Sequence, residues 1–182
     1  MKTTISLGIF FFLFITSGCA TLTSDIEIEG RTDPMVELIT YETYAWIEPD
    51  HALYDPEGRW EAQSVDINAE VKWLVDRELR SLNMIEVKGD QVEPDLYVTF
   101  TIRSDLSNFE LQTQPYFLRN KEEYSPKAEL SVVLVDGVTG FIAWVGKATA
   151  NVTAQPKAKQ LRKRLDYTVY KLFELYPVIN QK

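Results

Sequence analysis

The chain has 182 residues, enough for one domain and short for two. Its composition, 45% hydrophobic and 25% charged with 8 Gly and 8 Pro, excludes a wholly disordered, collagen-like or polytopic membrane protein. One cysteine excludes a disulfide framework or a cysteine-rich metal site, one histidine excludes any site needing two, and a dispersed net charge of -8 points away from nucleic acid.

The amino terminus reads as an address. Lys2 gives a short positive start, and residues 5–15 are largely apolar, with Phe10, Phe11, Phe12 and Phe14 among them. A helix that spans a bilayer needs about 20 apolar residues, so this run has the length of a signal-peptide core instead. Thr16, Ser17 and Gly18 follow, and then Cys19, the single cysteine. The arrangement resembles a bacterial lipobox, with Thr16 where such boxes most often carry Leu. The resemblance implies cleavage between Gly18 and Cys19 and lipid on Cys19; the alternative is a chance thiol beside an ordinary cleavage site. A lone thiol is a liability in an oxidising compartment, whereas acyl chains contribute about 0.8 kcal/mol of membrane affinity per buried CH₂. Ala20 stands where Asp would be the usual inner-membrane retention signal. Outer-membrane anchoring with the domain facing the periplasm is therefore implied, inner-membrane anchoring being the alternative. Removal of residues 1–18 takes away Lys2 alone among the charged side chains, so the mature chain stays acidic.

Residues 19–36 are expected to form the lipidated cysteine and a polar tether, in which Ile26 and Ile28 alternate with acids and allow a short edge strand. A single domain is expected over residues 37–179. Residues 38–46 are rich in aromatic and β-branched types and read as a strand stopped by Pro49. Asp66 then caps a helix whose apolar stripe is Ile67, Val71, Leu74, Val75, Leu79 and Leu82, with Glu70, Lys72, Asp76, Arg77 and Arg80 opposite and Asn83 as a left-handed stop. Residues 84–87 give a short strand. Leu96, Val98, Phe100 and Ile102 alternate with Tyr97, Thr99 and Thr101 in the clearest strand of the chain. Residues 128–135 and 141–152 read as two strands joined by a turn holding Asp136, Gly137 and Gly140. Pro156 opens a last helix with Ala158, Leu161, Leu165, Val169, Leu172 and Tyr176 on its buried stripe, and Pro177 ends it. The order β-α-β-β-β-β-α predicts an α+β fold, a mainly antiparallel sheet with both amphipathic helices on one face.

Four sequence features resemble the bacterial lipoprotein family catalogued as domain of unknown function 4136. They are Thr43-Tyr44-Ala45-Trp46; Pro94-Asp95-Leu96 with Val98; Asp136, Thr139 and Gly140 leading to Trp144 and Gly146; and Phe173 with Tyr176 and Pro177. The resemblance covers about residues 25–177. Asn83 stands where a glycine is usual and Val145 where Arg is frequent, the second of which weakens any shared cationic site. The family implies fold and location and brings no established activity.

Candidates for chemistry are few. His51 lies beside Asp50 and near Asp55 in a polar loop, where a general base could sit, but no nucleophile signature accompanies it, and an exposed loop histidine is the simpler reading. Asp50, Asp55 and Glu57 lack the alternation and central glycine of a calcium loop. No catalytic residue, cofactor or metal ligand is expected. Lys157, Lys159, Arg162, Lys163 and Arg164 oppose the macrodipole at a helix start. They read as a solvated face or as a contact for anionic headgroups or an acidic partner. Phe109, Tyr116, Phe117 and Tyr124 read as core cover or as a partner or ligand surface, and Trp46 and Trp144 as core. The expectation is a non-enzymatic envelope lipoprotein held by lipid on Cys19, with an envelope protein as partner. A periplasmic binder or carrier of a lipid or small apolar ligand is the alternative.

Overall fold

The computed structural model describes residues 22–47, 53–54, 65–89, 92–104, 127–151 and 157–177. In chain order the elements are β1 (Glu27–Thr32), β2 (Thr43–Trp46), β3 (Leu53–Tyr54), α1 (Ile67–Ser81), β4 (Ile85–Glu86), β5 (Leu96–Ser104), β6 (Lys127–Asp136), β7 (Ile142–Asn151) and α2 (Ala158–Glu174). The strands form one seven-stranded sheet in the order β1-β7-β6-β5-β2-β4, with β3 also paired to β5. The β1–β7, β7–β6 and β6–β5 pairs are antiparallel. The pairs that β2 makes with β4 and β5, and β3 with β5, are parallel. A parallel pair needs a long crossover, and α1 supplies it between β2 and β4. The fold is α+β on a mixed, mostly antiparallel sheet.

Local chemistry sets the helix limits. The Asp66 side chain accepts a hydrogen bond from the Ala69 amide at 3.0 Å, which satisfies one free donor of the first turn of α1. Asn83 takes a φ of 64° and ends that helix in the left-handed region, as its sequence position suggests. The stripe Ile67, Val71, Leu74, Val75 and Leu79 is buried. Asp76, expected on the outer face of α1, is buried instead, for reasons given below. In α2, Leu161, Val169, Leu172 and Phe173 are buried, with Ala158 and Leu165 packed at the margin. Arg162 meets Glu70 at 3.2 Å and Arg77 meets Asp166 at 2.5 Å, which ties the two helices together.

Alternation assigns the sheet faces. One cross-strand row runs Ile28, Ala148, Leu130, Ile102; the next runs Gly30, Gly146, Val132, Phe100; a third runs Thr32, Trp144, Leu134, Val98. The apolar members of these rows join the buried stripes of both helices in one core, so both helices cover the same face. Gly30 and Gly146 sit side by side and leave a gap in that face. The Trp144 ring lies over Gly146, and Leu175 leans over Gly30. Trp144 then meets Phe173 at 5.4 Å and Tyr176 at 5.9 Å between ring centroids. The Tyr176 hydroxyl donates to the Leu38 carbonyl at 2.9 Å.

Three expectations are corrected. Residues 38–46 do not form one strand: Leu38–Thr40 is a 3₁₀ turn and pairing begins at Thr43, where the Asp95 carboxylate receives the Glu42 and Thr43 amides. The region expected as a loop after Pro49 contributes β3. The expected tether contributes β1, the edge strand its alternation allowed, and folded structure therefore begins before residue 37.

Candidate functional site

The acidic side chains that the sequence motifs pick out serve backbone and turn. Oδ1 of Asp136 accepts from the Val138 amide at 3.1 Å, the Thr139 amide at 2.6 Å and the Thr139 hydroxyl at 2.7 Å. Its Oδ2 accepts from the Tyr41 hydroxyl. Those donors, Tyr41 first, hold the Asp136 carboxyl down at about 2. Asp95 Oδ2 accepts from the Glu42 amide at 2.9 Å and from the Thr43 amide and hydroxyl at 2.8 Å each, and its carboxyl is also held low. Asp76 Oδ1 accepts from the Tyr44 hydroxyl at 2.8 Å and the Trp46 indole at 2.9 Å. Burial, followed by that bond to Asp76, pushes the Tyr44 hydroxyl pKa up. A glycine is required at 137 because a Cβ there would lie 2.0 Å from the Pro94 carbonyl oxygen.

A depressed carboxyl makes folding depend on acid. The Asp136 contribution is fully present above its ordinary pKa of 3.8 and is lost as pH falls through about 2. Asp25 and Asp95 shift in the same direction. Urea titrations are expected to show stability falling as pH drops below about 4, and Asp136→Asn to make that fall shallower by on the order of 1–2 kcal/mol.

Concavities among the described residues include two of contrasting character. One, of about 90 Å³, is an apolar slot between helices and sheet, lined by Ile67, Ile102, Leu130, Ala148, Leu161 and Leu165 among others. It lies where β5 ends and β6 begins. A small-molecule site usually measures roughly 300–1,000 Å³, so the slot admits only the end of a chain or a small branched group. The second is an open groove of about 600 Å³ beside β2 and β4, with Trp46, Lys72, Glu86, Glu93 and Tyr97 on its walls. The Lys72 ammonium stands 5.1 Å from the Trp46 ring centroid.

At the slot's rim Arg164 holds the first of the described residues. Its guanidinium binds both Asp25 carboxylate oxygens at 2.7 Å and donates to the Leu22 carbonyl. Asp25 in turn accepts from the Asn151 amide at 2.9 Å, and the Arg164 bond is the largest cause of its lowered pKa. This divides the cationic cluster of α2. Arg162 and Arg164 are engaged with Glu70 and Asp25. Lys157, Lys159 and Lys163 are exposed and form no ion pair among the described residues. Asp25 was not distinguished by sequence, because 139 positions separate it from its partner and no spacing rule links them.

Gly18, Cys19, Asp50, His51, Asp55, Glu57, Phe109, Tyr116, Phe117 and Tyr124 lie outside the described residues. Among the described residues no three His, Cys, Asp or Glu side chains converge as a metal site requires. No described helix is long and apolar enough to cross a membrane.

None of the curated proteins matches this chain in sequence. Among solved structures, a PDZ domain protein from Parabacteroides distasonis is 13% identical over 86% of this chain, with a TM-score of 0.54. This chain spans 37% of that protein's length. A DUF4136 family protein from Bacteroides thetaiotaomicron is 12% identical over 84% of this chain and 96% of its own, with a TM-score of 0.53. The PelC dodecamer from Paraburkholderia phytofirmans is 9% identical over 81% of this chain and 94% of its own, at a TM-score of 0.48, and nothing further rests on it. At such identities the two likenesses above 0.5 establish a shared fold. The family model for domain of unknown function 4136 matches residues 29–178, and the chain belongs to that family.

Proposed function

We propose that this chain is a lipid-anchored envelope protein, acting by binding and assembly rather than catalysis. In this reading residues 1–18 are removed, Cys19 carries lipid, and the α+β domain faces the periplasm from the outer membrane. The observation that carries the non-catalytic part is the use of Asp76, Asp95 and Asp136. Asp136 has both oxygens, and Asp76 and Asp95 one each, occupied by amides, hydroxyls or an indole of their own fold, a structural use that argues against general acid or base work. The anchor part is supported by the lipobox resemblance around Cys19. Crosslinking in cells followed by purification from solubilised envelopes tests both. A stoichiometric protein partner recovered with wild type and lost with Cys19→Ala is expected. Recovery of membrane-bound wild type without a partner would contradict the assembly role.

The apolar slot favours a second reading, a binder of a lipid or small apolar ligand. At about 90 Å³ it can take only part of an acyl chain. Mass spectrometry of the purified protein would show a bound lipid if that reading held.

A further inference from the structure

Cations at a helix start face the positive end of the macrodipole, an arrangement that costs stability unless an anion meets them. At the start of α2 Lys157 and Lys159 stand in that position and Lys163 follows one turn on, all three exposed and without ion pairs among the described residues. Lys157 is the N-cap residue and makes no side-chain cap. Lys159 and Lys163, four positions apart, share the outward face of the first two turns. Three acids packed along this helix among the described residues are already engaged: Asp25 by Arg164, Glu70 by Arg162 and Asp166 by Arg77.

A second observation concerns where the chain enters the domain. Arg164 grips Leu22 and Asp25, and it follows Lys157 by seven positions, about 10 Å along a helix. Cys19 precedes Leu22 by three residues, so it lies within about 11 Å of Leu22 however the intervening chain runs. The attachment point is thus tied by a short stretch of chain, through Arg164, to the helix that carries the three lysines. The chain as a whole carries a net charge of -8, so most of its surface is repelled by an anionic bilayer and the lysines are attracted.

We propose that Lys157, Lys159 and Lys163, tied to the anchor by the Arg164–Asp25 clamp, dock on anionic phospholipid headgroups and orient the domain against the membrane. The inference rests on the anchored reading above and adds to it a face and a lipid class. It makes Arg164 a positioning residue, since it joins the entry of the chain to the helix that carries the lysines.

The test is amine footprinting of the full-length lipidated protein, reconstituted in phosphatidylcholine vesicles with and without phosphatidylglycerol. Brief acetylation is read by mass spectrometry, and intact mass reports the state of Cys19. In anionic vesicles each of the three lysines is expected to react more slowly, on the order of fivefold, the factor one surface-attracted charge contributes. Lys88, beyond β4 at the opposite edge of the sheet, is expected to react equally in both vesicles. High salt is expected to restore the rates at the patch. Equal rates in the two vesicles, with Cys19 acylated, would overturn this inference and leave the anchor standing. Protection in native envelopes but not in anionic vesicles would assign the face to an acidic protein and also overturn it. An unacylated Cys19 would remove the anchor and this inference together.

Discussion

Trp144→Ala is expected to destabilise the domain by about 3–5 kcal/mol, the range for deleting a fully buried large aromatic side chain. The ring is 0% exposed and fills the gap that Gly146 leaves in the sheet, with Phe173 and Tyr176 of the carboxy-terminal motif against it. Equilibrium unfolding in urea measures the loss. Trp144→Phe is expected to cost less, because it keeps part of the volume and removes an indole N–H that has no hydrogen-bond partner among the described residues. The reciprocal change, Gly146→Ala, places a Cβ 2.3 Å from the far edge of the indole. It is expected to cost about 1–3 kcal/mol alone and much less in a Trp144→Ala background, a coupling that identifies the pair. Equal costs in both backgrounds would contradict the packing described.

The second large effect is at Asp76. Removing its carboxylate with Asp76→Ala leaves the Tyr44 hydroxyl, on a residue that is 0% exposed, and the half-buried Trp46 indole N–H without their acceptor. A loss of about 2–4 kcal/mol is expected, since stranded donors carry their full desolvation cost. Asp76→Asn keeps one carbonyl oxygen and is expected to retain much of the stability. If the alanine variant were as stable as wild type, the network would be incidental. The same variant tests why Tyr44 and Trp46 recur in one motif: both side chains converge on a helix residue and fix α1 against β2.

The helices and long strands were readable because periodicity reports burial directly. The stripe of α1 and the alternation in β5 appear in the structure as buried faces. What was not readable depended on partners distant in sequence. Asp76 looked like an outer-face acid because helical spacing cannot reveal that Tyr44 and Trp46 lie opposite it. Leu38–Thr40 has strand composition, yet the Tyr176 hydroxyl takes the Leu38 carbonyl and the chain turns there. β3 is only two residues long and parallel, and its partner on β5 is about fifty positions away, so no local pattern marks it. The five cations of α2 read as one cluster, and only the fold separates Arg162 and Arg164, which have acidic partners, from the three lysines.

The family motifs acquire a physical meaning in this arrangement. Asp95 fixes the start of β2, Asp136 closes the β6–β7 turn, and Gly146 receives Trp144, against which Phe173 and Tyr176 pack. Residues that hold a scaffold together therefore account for the motifs on the described residues. The activity proposed above rests instead on Cys19 and the exposed lysines of α2.

The intact mass of the protein extracted from its own membranes tests the proposed anchor most directly. A chain that begins at Cys19 and carries acyl chains on that residue is the expected result. A chain that retains residues 1–18, or begins at Cys19 without lipid, would contradict the anchored reading and the membrane orientation built on it.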